Sequence, residues 1–264
     1  MITSTQNSRI KHLLLLETKS SQRRADGVFV VEGRREVEHC LEGGLRLLTA
    51  FVCEEIAGDS LTRILPMGVE IVPVARNVYE RIAYRGGTEG IVAIVEARRL
   101  TLQDLQLGDT PLVVVLESVE KPGNLGAVLR SADAAGADAV IVCDPLTDLY
   151  NPNLIRSAIG AVFTVPCVAC STDECIAFFR EKGIQVLTAQ LQDSHLYYDT
   201  PMTGPTAIVM GTEATGLTDA WRQAATAHIR IPMLGRLDSL NVSVSAAILL
   251  FEAVRQRQNV LSQV

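Results

Sequence analysis

The chain has 264 residues, of which 48% are hydrophobic and 20% charged, and its formal net charge at pH 7 is −6. That much apolar surface offsets the entropy of ordering the chain, which excludes a disordered protein, and the length accommodates two modest domains. No apolar stretch reaches the ~20 residues of a membrane span, and the run Leu13 to Leu16 is too short for a signal-peptide core, so a soluble, cytoplasmic protein is expected.

The charge is unevenly spread: residues 1–100 carry a net +1 and residues 101–264 a net −7. Before residue 36 the cations Arg9, Lys11, Lys19, Arg23, Arg24, Arg34 and Arg35 outnumber the acids Glu17, Asp26 and Glu32. Such a segment reads either as a phosphate-binding face or as an ordinary solvated surface. In chain order, Ile10, Leu13 and Leu14 place a helix over 7–17, followed by a basic loop that closes at Asp26-Gly27. Strands are expected at 28–31, 50–53, 71–74 and 91–95, a helix over 37–41 ends at Gly43-Gly44, and Gly86-Gly87 marks a loop. This pattern describes a smaller α/β domain over residues 1–100.

From residue 108 to 264 the alternation becomes regular. Strands are expected at 112–116, 139–143, 162–165, 185–189 and 207–210, with helices at 125–135, 173–182 and 243–257. Strand and helix alternating at this spacing imply a parallel sheet buried on both faces, with ligands held in the loops beyond the strands' carboxyl ends. The six cysteines include one C-x-x-C pair, Cys167 and Cys170, with no second pair or histidine cluster in the sequence to complete a zinc site. They read as reduced, mostly buried thiols, and no metal is expected.

Three loops of the second domain concentrate polar residues. In the first, Glu117 to Arg130, Asn124 is suited to cap a helix, Gly126 permits close approach, and Arg130 follows in the second turn; a plain cap and a surface arginine remain the alternative. The turn lacks the G-x-G-x-x-G of a dinucleotide site, which disfavours an oxidoreductase. The second loop, Gly211-Thr-Glu213-Ala-Thr-Gly216-Leu217, sets one carboxylate between two glycines after an apolar strand, either a ligand clasp or a simple turn. The third runs from Ile231 through Ser239, Leu240, Asn241, Ser243 and Ser245 into an apolar helix, and capping alone accounts for only one of these short polar residues.

Taken in order, the three loops resemble the three motifs of the SpoU (TrmH-like) RNA 2′-O-ribose methyltransferases: Asn124, Gly126 and Arg130; Gly211, Glu213, Gly216 and Leu217; and the Ile-Pro-Met to Ser-Leu-Asn-Val-Ser run from 231 to 243. Arg156 to Pro166 also matches the family's pattern. The first hundred residues resemble, more loosely, the substrate-binding domain fused to many members. Lys121, Ser131 and Ser245 depart from commoner family residues.

The resemblance implies a deep trefoil knot in the C-terminal domain, S-adenosylmethionine as cofactor, and a homodimer joined through the knot region and last helix. It further implies a cofactor pocket at Ala189, Gly211, Ile231 and Leu240, and a catalytic Arg130 assisted by Asn124, Glu213, Ser239 and Asn241. A guanidinium is a poor proton acceptor, so Arg130 is expected to clamp an RNA phosphate rather than act as base. Ribosomal RNA is the expected substrate. Transfer RNA, or a catalytically silent RNA-binding role, are the alternatives.

Overall fold

In the computed structural model of the chain, residues 1–58, 64–83, 89–212 and 215–261 are described. They divide into two compact units, Met1–Arg98 with Tyr150–Thr164, and Arg99–Leu149 with Val165–Val264. The expected loop at Gly86-Gly87 lies outside the described residues.

The first unit comprises α1 (Ser8–Thr18), α2 (Ser20–Asp26), β1 (Val28–Glu32), α3 (Arg34–Glu42), β2 (Leu47–Val52), α4 (Glu54–Ala57), β3 (Glu70–Pro73), α5 (Arg76–Ile82) and β4 (Ile91–Glu96). Its sheet has the order β1-β4-β2-β3, with β4 antiparallel to both neighbours and β2 parallel to β3. Val28 to Val31 of β1 form an unbroken apolar run because both faces of the strand are covered there. Val28 and Val30 pack with Ile10, Leu13 and Tyr79, while Phe29 and Val31 pack with Val37, Ile155 and Phe163.

Two sequence expectations are corrected in this unit. The basic stretch after α1 is the helix α2, not a loop, and it ends at Gly27 in the left-handed conformation (φ 66°). Its Arg23 is buried and donates to the carbonyls of Leu16 (2.5 Å) and Glu17 (3.2 Å), so it helps build the helix pair. The strand expected at 162–165 is instead the short helix α8 (Ala161–Thr164), preceded by α7 (Pro152–Ala158). Its β-branched residues suggested a strand, but Phe163 is drawn against Phe29, with ring centroids 5.7 Å apart. Tyr150 stacks on the same ring at 4.1 Å. Tertiary packing here overrides local propensity.

The second unit contains β5 (Leu112–Glu117), α6 (Pro122–Ala135), β6 (Ala139–Cys143), β7 (Cys167–Cys170), α9 (Thr172–Lys182), β8 (Gln185–Ala189), β9 (His195–Leu196), β10 (Thr206–Met210), α10 (Asp219–Ala224), β11 (Ala227–Arg230) and α11 (Val242–Leu261). All seven strands are parallel, in the order β7-β6-β5-β10-β8-β11-β9. One face of the sheet is sealed by Phe178, Phe179 and Trp221 from α9 and α10. α11 packs on α6 and β10.

The end of α11 fixes the loops that precede β5 and β10. Arg257 donates to the carbonyls of Met202 (3.0 Å), Thr110 (2.8 Å), Pro111 (3.2 Å) and Gly204 (2.9 Å). Arg257→Met keeps the aliphatic stem and deletes every one of these donors. It is expected to destabilise the chain by about 2 kcal/mol, allowing for partial exposure of the group, and chemical denaturation measures this. An unchanged midpoint would mean that water replaces the guanidinium without cost.

Candidate active site

The three motif-bearing loops emerge at the carboxyl ends of β5, β10 and β11, where a parallel sheet binds its ligands, beside the end of β8. Ala189, Gly211, Ile231, Leu240 and Ser239 line one cleft of ≈380 Å³ there, within the range of small-molecule sites. The cleft wall also carries Gln190, whose buried Oε1 has no hydrogen-bond partner among the described residues, although its amide donates to the Gln192 carbonyl at 3.0 Å. An orphaned buried acceptor is costly unless a ligand donor reaches it.

The loop after β10 is folded on itself. The Gly216 amide donates to the Thr212 carbonyl (3.1 Å), and the Thr215 amide donates to the Thr212 hydroxyl (3.0 Å). A side chain at Gly211 would meet the Gly216 carbonyl carbon and oxygen at 2.2 Å, so only glycine lets the two ends of the turn touch. Glu213 lies outside the described residues.

A second cavity of ≈330 Å³ borders the first, sharing Gly211, Thr212, Thr215 and Val242 as a common wall. Asn124 and Lys121 line its other side. Asn124 does not cap a helix, as the sequence allowed. α6 begins at Pro122, so Asn124 stands inside its first turn and its Oδ1 accepts from Asn241 Nδ2 at 3.2 Å. Asn241 is the residue that caps: its Oδ1 accepts from the Ser243 amide (3.0 Å) and hydroxyl (2.6 Å) at the start of α11. The first and third motifs are thereby tied together across 117 residues of sequence. Arg130 is not drawn into either cavity; it is exposed on α6.

Glu117, the first residue of the first of these loops, has a part in the site that the motif pattern does not assign. It ends β5, is buried (3% exposed), and its carboxylate accepts from the Thr218 amide (2.8 Å) and hydroxyl (2.6 Å), and from the Thr172 hydroxyl at 3.4 Å. The carboxylate anchors the exit of the Gly211–Leu217 turn to the centre of the sheet. Its signal was available: an acid closing a wholly apolar strand needs an internal partner.

Residues 111–251 match the model of the SpoU rRNA Methylase family, and residues 7–93 that of the MRM3-like substrate binding domain. The chain belongs to the SpoU rRNA methylase family. Its C-terminal unit accordingly has the trefoil-knot fold of SpoU methyltransferases. The chain is 36% identical over 224 residues to the 23S rRNA (guanosine-2′-O-)-methyltransferase RlmB of Photobacterium profundum, covering 81% of this chain and 91% of that one. A solved RNA 2′-O ribose methyltransferase superposes with a TM-score of 0.84 at 39% identity, covering 97% of this chain and 99% of the other. The SpoU methyltransferase AviRb of Streptomyces viridochromogenes, solved in complex with AdoMet, gives 0.89 at 27% identity, with 96% and 99% covered.

Proposed function

We propose that the protein transfers a methyl group from S-adenosylmethionine to a guanosine ribose 2′-hydroxyl of 23S-type ribosomal RNA in the cytoplasm. The observation that carries this reading is the single cleft formed by Ala189, Gly211, Ile231 and Leu240 at the sheet's carboxyl edge. Its residues fit the cofactor: Gly211 lets the chain close without a side chain, and the unpartnered Gln190 Oε1 offers an acceptor to an amino or hydroxyl donor. When bound, S-adenosylmethionine supplies an electrophilic methyl group on a sulfonium. The chain's task is then to bind, orient and exclude water. Asn124, which lines the neighbouring cavity, and Asn241, bonded to it, would orient the ribose there, with Ser239 acting from the cofactor cleft; Glu213 is the further positioning residue of this reading, and Arg130 would clamp an RNA phosphate.

Calorimetric titration with S-adenosylmethionine and with NAD, followed by mapping of methylated riboses in 23S rRNA and tRNA transcripts, tests the proposal. Binding of NAD with no response to S-adenosylmethionine would overturn it. Cofactor binding without transfer would mark a silent RNA-binding member, and modification of tRNA alone would reassign the substrate.

We assign RNA recognition to residues 1–100 and methyl transfer to residues 108–264. In the basic segment Arg9 pairs with Glu70, Arg34 with Glu38 and Arg35 with Glu36, and Arg23 is buried, which leaves the exposed Lys11, Lys19 and Arg24 as phosphate ligands, the two lysines being the pair tested. Burial, with the nearby Glu32 charge, raises the Glu17 carboxyl to about 7, which makes the segment more positive at neutral pH than its formal charge suggests. Reversing both lysines (Lys11→Glu with Lys19→Glu) is expected to lower the slope of log affinity against log salt by about 2 for duplex RNA while sparing cofactor binding. Equal slopes would remove these residues from the interface.

The unit works as a homodimer in this reading, because Val244 and Phe251, seven residues apart on one side of α11, are 47% and 49% exposed. Phe251→Glu is expected to yield monomers in sedimentation velocity. A wild-type chain that sediments as a monomer would refute the assembly.

A further inference from the structure

The strand register brings together sulfurs that the sequence keeps apart. Cys143 ends β6 and Cys170 ends β7, and the two are paired in the parallel ladder. Cys175 lies in the first turns of α9, whose start is fixed by a capping box: Glu174 accepts from the Ser171 amide (2.8 Å), and Ser171 Oγ accepts from the Glu174 amide (3.3 Å). At the start of this helix the Thr172 hydroxyl donates to the carboxylate of Asp144, the residue after Cys143, at 2.7 Å, which ties the helix to the strand ends. The three Sγ atoms all lie within 4.8 Å of one another, and among the described residues no imidazole nitrogen or carboxylate oxygen joins them within that span.

We propose that Cys143, Cys170 and Cys175 bind one thiophilic metal ion, Cu(I) in preference to Zn(II), at the edge of the catalytic unit's sheet. The geometry is close to what such an ion needs. At this spacing there is a point within about 2.8 Å of all three sulfurs, so contraction by no more than about half an ångström reaches a metal–sulfur bond length. Burial as small hydrophobic side chains accounts for Cys143 and Cys175, which are fully covered, but not for the convergence of the half-buried Cys170 on both. That half-exposure gives an ion its entry path. A disulfide would join two of the sulfurs and leave the third in contact without a role. Three soft donors with no nitrogen or oxygen favour Cu(I), whereas structural zinc takes four protein ligands. Binding exchanges the thiol protons for the ion and releases them to solvent. The bound ion would cross-link β6, β7 and α9.

The test uses the full-length, fully reduced chain under anaerobic conditions, titrated with Cu(I) against a competing chelator and, separately, with Zn(II). One equivalent of Cu(I) per chain is expected, with thiolate-to-metal charge-transfer absorption and a thermal midpoint raised by a few degrees. Cys170→Ser is expected to weaken binding at least about tenfold, and Cys167→Ser, outside the cluster, to leave it unchanged. A measurement on the wild-type chain guards against a misfolded variant: Cu(I) should slow alkylation of Cys170 about tenfold or more while leaving denatured-state labelling of Cys40 intact. Failure to compete with the chelator, equal labelling of Cys170 with and without the ion, undiminished binding by Cys170→Ser, or tighter binding of Zn(II) would each overturn the proposal.

Discussion

Gly211→Ala is expected to reduce S-adenosylmethionine affinity about 10²-fold or more, with a smaller loss of stability. The added methyl group would stand 2.2 Å from the backbone carbonyl of Gly216 and 2.6 Å from the Leu217 amide nitrogen. These are backbone atoms, which cannot swing aside as a flexible side chain would. Leu217 is buried, and Thr218 just beyond it is held by Glu117, so the exit of the turn is pinned. The strain must therefore displace the entry, where Gly211 and Thr212 form the wall common to both cavities. A displacement of about 1 Å at such a position costs on the order of 10²-fold in function, while overpacking costs about 1–3 kcal/mol in stability. Calorimetric titration separates these effects, because a folded variant with wild-type cofactor affinity would place the cofactor away from this turn. Glu117→Gln, which weakens the pin, should partly relieve the defect.

Much of this site was legible because its residues lie at strand ends that periodicity identifies well. The runs at 112–116, 139–143 and 207–210 are apolar throughout and 185–189 is broken only by Gln185 and Thr188, as suits strands of a parallel sheet covered on both faces, and each lies within or coincides with an observed strand. What escaped the sequence depended on contacts between distant segments. Residues 150–164 sit between two catalytic-unit strands in the chain yet pack around Phe29, which is why Val162 and Phe163 read as a strand and fold as a helix. Asn124 and Asn241 could each be read as a cap, and only their mutual hydrogen bond decides that Asn241 is the cap. The sulfur cluster was invisible for the same reason. Spacing suggested Cys167 with Cys170, but successive residues of a strand face opposite ways, so two residues three apart do too, and it is the ladder that sets Cys143 beside Cys170.

Arg130→Ala is expected to keep the fold and the cofactor affinity but to cut methyl transfer by about 10²-fold or more, the scale of losing a group that stabilises developing charge. Arg130 is exposed on α6 and has no hydrogen bond or ion pair with any other described residue, so its removal costs the folded chain little, within about 0.5 kcal/mol. Nor does it line the cofactor cleft, which separates its role from cofactor binding. The face of α6 that Arg130 occupies is free to receive RNA while Asn124, on the first turn of the same helix, faces the second cavity. Arg130→Lys keeps the charge and loses the planar fork, so partial rescue is the signature of a phosphate clamp. The pH–rate profile supplies an independent reading. Were Arg130 the proton acceptor, the lysine variant would move the alkaline limb, whereas a clamp lowers the whole profile without shifting it. Wild-type transfer by Arg130→Ala in single-turnover experiments would return Arg130 to the ordinary surface of α6 and leave the stabilisation of the reacting oxygen to Asn124, Asn241 and their neighbours.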